Sequence, residues 1–220
     1  MKKALLLLLA VMLVGCSGEG TEKKKEASVN KEEENVKKEE VVKEEKVVPV
    51  KYAEVDPESK AAVEKFVKKY NVQADLIQQS KEVPIKIDKI PEPITSELNE
   101  EKSMFSQILL ETDFKQYKGH YKIVAKYNKS KKITGYNISV EASPANEVNE
   151  EADEWQEGFL AAMTTTDAIG LSIDTFEVHL NKALEEEKDT HSYIDSNYKV
   201  TILMPDIDLG VFEISYDLTK

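Results

Sequence analysis

The sequence predicts an α+β fold: an antiparallel sheet of about four strands in β-β-α-α-β-β order, with helices packed on one face and one or two helices ahead of it. Three observations carry this. Residues 121–127 and 133–142 are rich in β-branched and aromatic side chains and are separated by the polar run Asn128-Lys129-Ser130-Lys131-Lys132, which reads as a hairpin loop. Two capped helical patterns follow, and two further strand patterns close the chain at 198–204 and 210–218. An antiparallel sheet with helices on one face is the economical way to bury that order.

The chain begins with Lys2 and Lys3, then residues 4–14, an uncharged apolar run of eleven residues. A membrane-spanning helix needs roughly twenty. The length and basic flank fit the hydrophobic region of an export signal instead. Leu13-Val14-Gly15-Cys16 follows, and Cys16 is the only cysteine. This segment resembles the lipobox of bacterial lipoproteins, in which an aliphatic, a small or aliphatic and a Gly or Ala residue precede Cys. The resemblance implies cleavage after Gly15, with Leu13, Val14 and Gly15 recognised by the signal peptidase and an S-diacylglycerol on Cys16. Two acyl chains anchor stably where one holds marginally. The expected location is the extracytoplasmic face of the cell membrane, in a bacterium of Gram-positive type. The strand-pair, helix-pair, strand-pair order is similar to that of small Gram-positive lipoproteins of unassigned function, a likeness of architecture with no residue motif behind it.

Residues 16–55 read as a tether. Runs such as Lys31-Glu32-Glu33-Glu34 and Lys37-Lys38-Glu39-Glu40 carry too few apolar residues to offset their ordering entropy, so disorder is expected. The folded part, 56–220, opens at Asp56-Pro57-Glu58, an N-cap acid followed by proline in the first helical position. Ala62, Val63, Phe66, Val67 and Tyr70 form one apolar stripe, with Asn71 as its expected end and a second helical patch at Ala74, Leu76 and Ile77. Val83, Ile85 and Ile87 alternate, but Pro84, Pro91 and Pro93 restrict this stretch to an edge strand or a connector. Leu98, Phe105, Ile108 and Leu109 predict a helix over 96–111.

In the hairpin, Thr134, Tyr136, Ile138, Val140 and Ala142 share one face and Asn137, Ser139 and Glu141 the other, the pattern of a half-buried antiparallel strand. Asn146 caps the next helix, whose stripe is Val148, Ala152, Trp155, Phe159 and Met163. Its opposite face carries Glu147, Glu150, Glu151, Asp153, Glu154 and Glu157, the one surface feature singled out as an interaction face. Trp155 is assigned to core packing. Thr164-Thr165-Thr166-Asp167 reads as a capped turn, and Ser172 caps a helix with Leu171 and Phe176 as a hydrophobic staple.

Chemistry is sparse. Net charge is −12 and every one of the thirty basic residues is lysine, so bidentate capture of phosphate by arginine is unavailable and nucleic acid is excluded as a partner. His120, His179 and His191 lie far apart in sequence without metal-ligand spacing, and they read as isolated, partly exposed imidazoles. Asp206 and Asp208 are weak calcium candidates that lack the remaining ligands of such a loop. No Gly-x-Ser-x-Gly or phosphate-binding glycine loop occurs. The expectation is a lipid-anchored, non-enzymatic envelope module without a cofactor, binding a basic envelope protein or a cell-wall component. A wall hydrolase without a recognisable motif is the alternative, and an importer's substrate-binding component the less favoured one.

Overall fold

Asp56 opens the first long helix as its place before Pro57 implies. In the computed structural model, which describes residues 51–101, 104–116, 118–142, 156–186, 189–206 and 211–219, Asp56 Oδ2 accepts from the Ser59 amide at 3.1 Å and from its hydroxyl at 3.0 Å. Those bonds hold the Asp56 carboxyl below its ordinary range. A single 3-10 turn at Tyr52–Glu54 precedes the helix. The chain divides into two units, Met1–Val47 and Val48–Lys220, and every described element lies in the second.

Helix α1 spans Pro57–Gln79 and buries Val63, Phe66, Val67, Tyr70, Ala74 and Ile77, while Ala62 is exposed. The two expected helical patches are therefore one helix. Asn71 does not end it, because its side chain is used elsewhere: Oδ1 accepts from Ile90 N–H at 2.8 Å and Nδ2 donates to Ile90 O at 2.9 Å. Residues 83–93 run back along the helix as an extended strap. Lys86 Nζ donates to Ile77, Ser80 and Val83 carbonyls at 2.8, 2.6 and 2.7 Å, placing an ammonium at the negative end of the helix dipole.

The expected fold requires correction at the sheet. Among the described residues it has seven strands, all paired antiparallel: β1 (Leu98–Glu101), β2 (Met104–Asp113), β3 (Gly119–Tyr127), β4 (Ile133–Ala142), β5 (Thr190–Asp195), β6 (Tyr198–Asp206) and β7 (Val211–Leu218), in the order β1-β2-β3-β4-β7-β6-β5. Residues expected as a helix over 96–111 form β1 and most of β2. The register of β2 against β3 slips between Ile108 and Leu110. That bulge puts Leu109 and Leu110 both in the core, so the period-2 alternation is broken and the apolar spacing imitates a helix. The second missed element, β5, was hidden in a polar stretch; the two-residue turn Ser196-Asn197 joins it to β6. Ser196 turns there with φ +54°.

Register places Tyr121, Ile123 and Ala125 of β3, Tyr136, Ile138 and Val140 of β4, and Phe212, Ile214 and Tyr216 of β7 on one buried face. Helix α2 (Gln156–Ile169) lies against it, with Phe159 stacked on Phe212 at 4.8 Å and Gly158 so close to Val140 that a Cβ would meet its Cγ1 at 2.4 Å. Thr164, Thr165 and Thr166 belong to this helix, not to a turn. Each hydroxyl bonds the carbonyl four residues back, and Thr166 also meets Tyr216 Oη at 2.8 Å. Helix α1 reaches the same face through Phe66, stacked on Tyr136 at 4.4 Å. Gly170, at φ +90°, turns the chain into α3 (Ile173–Glu185), which Ser172 caps through Thr175 N–H at 3.1 Å. No helix among the described residues is long and apolar enough to cross a membrane.

Candidate functional site

The three α-helices among the described residues sit on one side of the sheet and leave its other face uncovered by them. Seven strands at the usual spacing make it about 30 Å across. Register lines up rows of side chains along it. Ser192, Thr201, Ser215 and Asn137 fall in one row from β5 to β4, and Lys199, Asp217, Gly135 and Lys126 in the next. Lys126 Nζ binds Asp217 and lies 3.3 Å from Ser215 Oγ. Asn137 Nδ2 donates to Glu213 at 2.8 Å, while its Oδ1 is buried with no partner among the described residues. Lys122 stands 3.8 Å from Glu111, and His120 Nε2 3.7 Å from Glu141. Alternation builds this face, since residues turned into the core leave mostly polar neighbours outside, with Ile108, Val124 and Leu203 as apolar members among them.

A second polar feature lies on the covered side, at the sheet's end. His179 of α3 and His191 of β5 meet with Nδ1 and Nε2 at 2.8 Å, and the His179 ring lies flat on Tyr193 at 3.9 Å and 5°. The two imidazoles sequence reading treated as isolated are thus hydrogen-bonded. Burial, then His191 and Lys182, hold the His179 pKa below its ordinary value. Ring centroids 5.1 Å apart at that nitrogen separation mean the rings meet end to end. One nitrogen's lone pair then points at the other's N–H, and the two do not converge on a shared ion. No group of three or more His, Cys, Asp or Glu among the described residues is arranged to hold a metal.

A third cluster ties the strap to the sheet. Asp88 accepts from Thr112 Oγ1 at 2.6 Å and Lys115 Nζ at 2.7 Å, and its amide donates to Tyr121 Oη at 2.9 Å. Partial burial pushes the Asp88 carboxyl up, but those donors outweigh it and hold it below the ordinary range.

Glu157 corrects the expected interaction face. It is 0% exposed, and its carboxylate accepts from the Lys115 and Gln116 amides at 2.7 and 2.8 Å. Placed on the acidic side by helical spacing, it instead satisfies the loop between β2 and β3. Glu147, Glu150, Glu151, Asp153, Glu154 and Trp155 lie outside the described residues, as do Leu13, Val14, Gly15, Cys16 and Asp208. Asp206 ends β6 with its main chain paired to Val211, and its side chain is likewise outside the description. The open face and the histidine pair escaped sequence reading because both are made by strand register, which no local pattern encodes. Comparison with protein-family models, with curated proteins and with solved structures finds no match, so geometry and sequence carry the reading of this site.

Proposed function

We propose that this chain is a lipid-anchored module on the extracytoplasmic face of a bacterial cell membrane, binding a basic envelope protein or a cell-wall component without chemically transforming it. The observation that carries the anchoring is Leu13-Val14-Gly15-Cys16 directly after an uncharged apolar run of eleven residues. The binding half is supported by the polar face left uncovered by the helices, with Lys126, Asn137, Glu213, Ser215 and Asp217 fixed in register upon it. A net charge of −12 favours a basic partner over nucleic acid or bare anionic lipid.

Membrane fractionation of wild type and Cys16→Ala tests the anchor. The substitution is expected to move the protein from the membrane pellet to the soluble fraction while its circular dichroism is unchanged. Persistent membrane association after removal of the signal would overturn the anchoring. Photo-crosslinkers introduced in cells at Ser139 and Thr201, on the open face, are expected to trap an envelope partner that the same group at exposed Val72 of α1 does not. Equal trapping at all three positions, or at none, counts against the open face as the binding surface.

A further inference from the structure

The sheet ends in two unlike edges. The β1 edge has four residues and carries exposed Asn99 and Glu100, so it is short and charged, the usual guard against strand addition. The β5 edge has six residues, Thr190–Asp195, and lacks lysine and proline along its length. Its hydrogen-bond phase is set by the Met204 amide donating to Asp189 O at 2.8 Å. In the register of β5 on β6, the bonded pairs are then His191 with Ile202, Tyr193 with Val200 and Asp195 with Tyr198. Thr190, Ser192 and Ile194 therefore turn their amides and carbonyls away from β6, toward the edge that no other described strand pairs. All three side chains are exposed, and Ile194, 71% exposed, leads the exposed large apolar residues among those described.

We propose that β5 pairs antiparallel with β5 of a second copy of this chain, joining two seven-stranded sheets across a two-fold axis. Charge chooses the occupant's register. Pairing Ser192 with Ser192 of the copy would set Asp195 opposite Asp189, two carboxylates face to face. Moving the pairing by two residues sets Ser192 opposite Ile194, Tyr193 opposite Tyr193 and His191 opposite Asp195. In that register the outward groups of Ser192 and Ile194 bond one another, and an imidazole faces a carboxylate in each half of the pair. His191 Nε2 is engaged by His179, which leaves Nδ1 for the copy. Asp195 already accepts from the Ser172 amide and the Ser196 hydroxyl, and retains lone pairs for the copy's imidazole. The strand pair is small beside an obligate interface, and each copy is acidic. The dimer is therefore concentration-dependent and strengthened by salt, which screens the repulsion between the copies.

The inference does not depend on the proposed anchoring, because its test uses the full chain carrying Cys16→Ala. Sedimentation velocity from micromolar to millimolar protein, at low and high salt, is expected to show a monomer–dimer equilibrium that salt shifts toward dimer. Ser192→Pro removes an outward amide without touching a bond to β6, and Ile194→Lys puts a charge on the seam. Each is expected to raise the dimer dissociation constant about tenfold or more, since the two-fold pair loses two hydrogen bonds with Ser192→Pro, one from each copy, and gains two seam charges with Ile194→Lys. Ile108→Lys, on the same open face but on β2, is expected to leave it unchanged. Mixed Ser192→Cys and Ile194→Cys chains, in the Cys16→Ala background, are expected to form a disulfide under oxidation. A monomer under all conditions would overturn the proposal, as would a dimer indifferent to both edge substitutions.

Discussion

The two faces of the sheet handle polar groups in opposite ways. On the covered face several that enter the core are answered individually: Asn71 by the Ile90 main chain, Glu157 by two amides of the β2–β3 loop, Thr166 by Tyr216, while the Tyr70 hydroxyl is buried without a partner among the described residues. On the open face the pairs are ionic and partly solvated, as with Lys126 and Asp217 or Lys122 and Glu111. A buried polar group that loses its partner incurs its full desolvation cost, whereas a solvated one is re-paired by water. The difference teaches where this protein tolerates change. Its solvated ion pairs on the open face are expected to be replaceable with little effect on folding.

Four substitutions or conditions test that contrast. Asn71→Leu is expected to be the most damaging, because it leaves the Ile90 N–H and C=O unpaired inside the structure. Two orphaned groups cost about 2–4 kcal/mol together, which urea unfolding would report as a large drop in midpoint. Gly158→Ala comes next. Its new methyl meets Val140, a stiff side chain 1% exposed, so overpacking of about 1–3 kcal/mol outweighs the roughly 1 kcal/mol that alanine returns to a helix. Thermal unfolding checks the sign; an unchanged or raised Tm would show that the helix relaxes away from the sheet.

On the open face, Lys126→Met is expected to cost less than about 1 kcal/mol, as for other half-solvated ion pairs, and the same urea measurement decides it. A loss equal to that of Asn71→Leu would erase the distinction between the faces. The smallest effect belongs to His179, whose pKa is lowered in the fold. The unfolded chain takes up the proton first as pH falls below about 6.5, so the stability held by neutral His179 is whole above that pH and is lost toward the depressed folded value. Replacing it in His179→Gln is expected to shrink the fall in urea midpoint between neutral and mildly acidic buffer. Solvent screening limits the difference to about 0.5 kcal/mol.

Much of the local structure was legible. Asp56-Pro57, the Ser172 cap, and the β3–β4 hairpin appear where propensity and capping place them, because each depends on neighbours a few residues away. Lys131, at φ +58°, closes that hairpin loop in a conformation glycine adopts more readily, and the loop forms nonetheless. The face assignment of β4 also held, with Tyr136, Ile138 and Val140 inside and Asn137, Ser139 and Glu141 outside. Asn71 misled in the opposite direction. Asparagine weakens a helix when its amide competes for the nearby backbone, but here the amide serves a strap nineteen residues later, and the helix continues.

Sequence by itself determined the elements whose causes are local: the capped helix starts and the alternating hairpin. Tertiary structure alone decided the rest. It turned 98–113 into two strands, because β1 and the bulged β2 find their hydrogen bonds only in each other and in β3. It made 190–195 an edge strand against β6, buried Glu157 under a loop some forty residues away, and joined His179 to His191. Strand pairing and buried hydrogen bonds connect residues distant in the chain, so their partners are chosen only when the sheet assembles.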